Sequence, residues 1–116
     1  MKMLHVTIKT DKFDEELKFY QEQVGLTIQR DMREMGRNMV FLADAPGDTC
    51  IEIIEEANAV DSGNKDLSIG FKTNDVEKKR EDMIALGYEA TPMICPGPAV
   101  KFFFVKDPAG VNVQFM

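Results

Sequence analysis

Cysteine is scarce in this chain. Cys50 and Cys95 are its only two, too few and too far apart in sequence for a disulfide framework or a structural zinc site, so both read as free thiols. No run of apolar residues approaches the roughly 20 needed to cross a bilayer, and no membrane partner is expected. The opening Met1-Lys2-Met3-Leu4-His5 lacks the apolar stretch and small-residue cleavage site of a signal peptide; a cytoplasmic location is the expectation. Lysine and arginine form no stripe, and a net charge of -6 with a pI near 4.8 would repel a phosphate backbone. Nucleic acid is therefore not an expected partner, whereas the same field favours a cationic ligand. At 116 residues, 44% hydrophobic and 29% charged, the chain has the make-up of one ordinary globular domain.

What is present is repetition. Leu4-His5-Val6-Thr7-Ile8-Lys9-Thr10-Asp11 aligns with Leu67-Ser68-Ile69-Gly70-Phe71-Lys72-Thr73-Asn74, an offset of 63 positions set by Leu4 on Leu67. A helical pattern follows in each copy: Phe13, Leu17 and Tyr20 lead to Gly25, and Val76, Met83, Ile84 and Leu86 lead to Gly87. Glycine just past the last turn is the usual left-handed cap. Three strands then follow. In the first copy they read 26–33, 37–43 and 49–55, and in the second 88–94, 100–105 and 111–115, with Pro96-Gly97-Pro98 and Asp107-Pro108-Ala109-Gly110 as separators. Residues 57–66 have no apolar period and read as a connecting loop.

The expected fold is therefore α+β: two tandem βαβββ modules, 1–56 and 67–116, forming a half-open, barrel-like sheet with helices outside, all within a single domain spanning 1–116. Side chains alternate across a strand, so Leu4, Val6 and Ile8 would pack under the helix while His5, Thr7 and Lys9 face away from it. The same alternation places Cys50, Glu52 and Ile54 opposite Ile51 and Ile53, Ser68 opposite Ile69, and Asn112 and Gln114 opposite Val113 and Phe115. His5 corresponds to Ser68 in the repeat, and Glu52 to Gln114. All four are expected on the concave faces.

The first strand with the helix after it, and Asp107-Pro108-Ala109-Gly110 before the last strand, resemble the vicinal oxygen chelate superfamily of glyoxalases, bleomycin-resistance proteins and extradiol dioxygenases, most of all its lactoylglutathione lyase-like branch. The resemblance runs from Met3 to Phe115. In metal-using members each module supplies one ligand from its first strand and one from its last. Carried over, this implies His5, Glu52 and Gln114 as ligands of a divalent ion, zinc, nickel, manganese or iron, with Glu52 as the catalytic carboxylate. The second module departs from the pattern, with Ser68 where a histidine is usual and Gln114 where a glutamate is usual.

An amide is not usefully basic, so Gln114 cannot act as a general base, and proton transfer would fall to Glu52 alone. Two functions follow: a metal-dependent lyase or isomerase acting on a carbonyl or thiol-adduct substrate, or a metal-free protein that sequesters a small molecule. An extradiol dioxygenase would need an imidazole where Ser68 stands. Against both stands the plainer account, in which His5 is a hydrogen-bonded residue and Glu52 a solvated one. The resemblance also implies a homodimer.

Three smaller readings complete the sequence. Cys50 is expected as a small buried hydrophobe, with a soft ligand or reactive thiol as the alternative. Arg30, Arg33 and Arg37 flank the second and third strands and read as solvated hairpin charges, or as a holder for an anionic substrate. Phe102, Phe103 and Phe104 must divide between two faces, one of which would form an aromatic wall.

Overall fold

The computed structural model describes residues 1–60 and 65–116. It divides into two compact units, Met1–Asp61 and Ser62–Met116. Unit one runs β1 (His5–Thr10), α1 (Phe13–Phe19) continued by a π-helical turn Tyr20–Val24 that Gly25 caps, β2 (Thr27–Asp31), β3 (Met39–Ala43) and β4 (Cys50–Glu55). Unit two repeats the order with β5 (Ser68–Phe71), α2 (Val76–Ala85), β6 (Ile94–Gly97), β7 (Val100–Lys106) and β8 (Asn112–Phe115). Each unit is thus a βαβββ module, as the repeat predicts, and the fold is α+β. The four strands of each make one mixed sheet, in the orders β1-β4-β3-β2 and β5-β8-β7-β6. The first and last strands of each module are parallel neighbours. The connecting loop 57–66 has no helix or strand among its described residues, and its positions 61–64 lie outside them.

Local chemistry accounts for the helix limits. The Thr10 hydroxyl accepts the Lys12 N–H at 3.0 Å where β1 turns into α1, and Asp14, Glu15 and Glu16 load the positive end of the helix dipole. In α2 the Asp75 side chain accepts the Lys78 N–H at 3.0 Å, a standard N-cap. Gly25 and Gly87 adopt φ of 82° and 94°, a left-handed conformation that costs a residue with a Cβ about 1 kcal/mol or more.

The core of unit one is the helix-side face of its sheet. Ile8, Val40, Leu42, Ile51 and Ile53 are buried together with Phe13, Leu17 and Tyr20, each worth roughly 1.5–3 kcal/mol if fully withdrawn from water. Unit two does the same with Met83, Phe103, Val105, Val113 and Phe115.

Several expectations need correction. Leu4 precedes β1 and is 69% exposed, so it does not pack under the helix; Ile84 and Leu86 are also exposed, leaving Met83 as the buried anchor of α2. The strand read as 88–94 begins only at Ile94 and takes in Pro96 and Gly97, which were read as a separator. The reason lies in Thr91 and Pro92. The Thr91 hydroxyl takes the Phe104 N–H in place of a backbone carbonyl, and Pro92 has no N–H to give a ladder.

Candidate functional site

Each sheet turns one face to its helix and leaves the other open, and the predicted residues lie on the open faces. In unit one the register aligns Thr7 with Glu52, Glu52 with Phe41, and Phe41 with Arg30, a row crossing all four strands. His5 sits one pleat along β1, in register with Cys50. Its Nε2 lies 3.5 Å from Glu52 Oε1, and its ring meets Phe41 edge-on with centroids 5.5 Å apart. Thr7 donates its hydroxyl to the same Oε1 at 2.5 Å. Glu52 is only 7% exposed, so it is not the solvated strand residue of the plainer account. A carboxylate withdrawn this far from water needs such partners. The His5 side chain remains 40% exposed and so accessible.

In unit two the corresponding row is Gly70, Gln114 and Phe104. Gly70 stands where Thr7 stands in unit one. A Cβ added at Gly70 would come within 3.1 Å of Gln114 Oε1, so the glutamine amide lies across the space that a side chain would occupy. Ser68, in register with Asn112, stands where His5 stands. Phe103 is fully buried, while Phe102 and Phe104 meet edge-on at 5.7 Å on the open side, the division that alternation predicts.

Both cysteines are free, but Cys50 is half-buried rather than a core residue. It is not a third ligand either: among the described residues, no three side chains drawn from His, Cys, Asp and Glu come together as a metal site. Of the three arginines, Arg33 is committed to Asp31 through contacts of 2.6–3.1 Å. Those hydrogen bonds hold the Asp31 carboxyl down at about 2, against an ordinary 3.8. A depressed carboxylate contributes stability above its unfolded pKa and loses it as pH falls through the folded value. Both groups are exposed, so the effect on stability is small. An NMR titration should place the Asp31 midpoint near 2, and Arg33→Gln should return it towards 3.8.

The donors present fit a divalent ion in part. Two ligands each bound at about 2.0–2.2 Å to one ion sit roughly 3–3.5 Å apart, and His5 Nε2 and Glu52 Oε1 already have that spacing. Thr7 would fix the carboxylate from behind, as outer partners of metal ligands do. Strand alternation places Thr7 on the correct face but gives it no role; its role comes from the direct register pairing with Glu52.

The chain belongs to the Glyoxalase/Bleomycin resistance protein/Dioxygenase superfamily, whose family model matches residues 2–115. Its similarity lies with the lactoylglutathione lyase-like branch. It is 27% identical to a lactoylglutathione lyase of Haemophilus influenzae, over 100% of this chain and 92% of that protein. It is 28% identical to lactoylglutathione lyase GLX1 of Arabidopsis thaliana, over 99% of this chain but only 44% of that protein, so it spans less than half of the plant relative. The trypanothione-dependent glyoxalase I of Leishmania major shares the fold, with a TM-score of 0.77 at 24% identity over 100% of this chain and 86% of that one. No helix among the described residues is long and apolar enough to cross a membrane.

Proposed function

We propose that the protein binds a small carbonyl-bearing molecule, such as a thiol adduct of an aldehyde, at the His5–Glu52 pair and acts on it as a metal-dependent lyase or isomerase. One observation carries this reading: His5 Nε2 and the nearly buried Glu52 Oε1 lie 3.5 Å apart on an open sheet face. His5 and Glu52 would hold a zinc, nickel, manganese or iron ion. Gln114 is proposed as a further donor through its correspondence to Glu52 in the repeat. Such an ion, when bound, polarises a substrate carbonyl. Glu52 would move the proton, because its repeat counterpart Gln114 lacks basicity. Thr7 and His5 both engage Oε1, so the proton would be taken up at Oε2. The protein is further proposed to act in the cytoplasm as a homodimer.

Metal content tests the proposal. Tag-free protein, dialysed gently, should carry about one divalent ion per chain, and His5→Ala and Glu52→Ala should each lose it. Less than about a tenth of an equivalent, not restored by added ions and unchanged by either substitution, would reject it. That result would favour metal-free sequestration of a flat ligand, a reading supported by Phe41 beside His5 and by Phe102 against Phe104.

A further inference from the structure

The open face of unit one carries a residue that ordinary strand alternation would have turned away. Ile28 is in register with Leu42, but Arg30, two residues on, is in register with Phe41, the very next position of β3. The ladder between β2 and β3 therefore contains a bulge at Gln29. Leu42 is buried on the helix side and Phe41 is on the open side. Without the extra residue, Arg30 would share the side of Ile28; with it, Arg30 is turned over to the side of Phe41 and Glu52. Bulges of this kind re-aim side chains and recur beside active sites.

The resulting arrangement is a short line of chemistry. Phe41 holds the His5 ring at 5.5 Å and the Arg30 guanidinium carbon at 6.0 Å from its own centroid. Arg30 forms no ion pair among the described residues, unlike Arg33, which is tied to Asp31. Strand spacing of about 4.8 Å puts the Arg30 backbone roughly 10 Å from that of Glu52, two strands away. The net charge of -6 argues for a cationic ligand, but the local field on this face does not. Among the described strand residues of this face, Arg30 and Lys9 stand with one carboxylate, Glu52, that is nearly buried. Local charge at contact distance outweighs charge spread over a surface that salt screens within about 8–10 Å.

We infer that Arg30, turned to the open face by the bulge at Gln29, is the anion-binding end of the substrate site, and that the substrate carries a carboxylate within roughly 10 Å of its reacting carbonyl, with a flat or apolar segment lying on Phe41. This rests on the His5–Glu52 reading for the position of the carbonyl.

The test uses a defined probe, 3-(4-acetylphenyl)propanoate, which has a ketone, a ring and a carboxylate in line, together with its neutral methyl ester. Calorimetry on the wild-type protein should show the acid binding about tenfold more tightly than the ester, the worth of one charge-assisted hydrogen bond at a wet site. Arg30→Gln should remove that preference while leaving affinity for the ester and metal content unchanged. Arg33→Gln should preserve it. Equal affinity for acid and ester in the wild type, no binding of either, or a preference that survives in Arg30→Gln would overturn the inference. Metal content in the same samples separates the two readings. A preference that depends on Arg30 in metal-free protein keeps the anion site and rejects the metal; bound metal with no acid preference does the reverse.

Discussion

Glu52→Gln is expected to slow proton transfer by about 10²–10⁴-fold, the usual worth of a positioned general base, while leaving part of the bound metal in place. The substitution keeps an oxygen donor where Oε1 now lies 3.5 Å from His5 Nε2, and Thr7 can still donate to it. It removes the basic group and little else. Glu52→Ala removes donor and base together and should abolish both metal and turnover. The contrast separates the two duties proposed for one carboxylate. Exchange of deuterium into the carbon next to the carbonyl of a 2-oxoaldehyde–thiol adduct reports the proton step directly. Undiminished exchange in Glu52→Gln would remove Glu52 from the chemistry and leave it a ligand only.

A large loss of stability outside the hydrophobic core is expected from Asp107→Ala. Asp107 is 4% exposed, and its Oδ1 accepts the N–H groups of Ala109 and Val111 at 3.0 and 2.9 Å. Both donor residues are fully buried, so no water stands ready to replace the carboxylate. Each orphaned N–H costs about 1–3 kcal/mol, and the substitution should destabilise unit two by about 3 kcal/mol in denaturant unfolding. Asp107→Asn retains an acceptor oxygen and should lose about half as much or less. Equal losses in the two variants would show that charge, rather than the two hydrogen bonds, holds the turn. That turn delivers the chain into β8 and so sets the register that places Gln114 beside Gly70.

The duplicated order was legible in the sequence because the two copies share both period and punctuation. The Lys-Thr pairs at 9–10 and 72–73, with Gly25 and Gly87, fix where each module begins and where each helix stops. Alternation then put His5 and Glu52 on the open face correctly. It failed wherever a side chain takes over a backbone duty or an extra residue breaks the pleat. Thr91 in place of a ladder carbonyl, and the shift at Gln29, have no signature in hydrophobic period. Alternation assigns Leu4 to the helix side, yet it is exposed, because pattern records which residues can be buried, not how much neighbouring surface exists to bury them. The burial of Glu52 was likewise invisible, since it depends on Thr7 and His5 arriving from another strand.

The Gln114 amide lying over Gly70 constrains how this protein can change. A threonine there, matching Thr7, would meet the Gln114 amide at 3.1 Å and push it aside. A glutamate at 114, matching Glu52, would face a glycine with no hydroxyl to steady it. Either step alone is disfavoured and each makes the other acceptable, so the two positions should be strongly non-additive. A second carboxylate on β8 therefore requires that positions 70 and 114 change together.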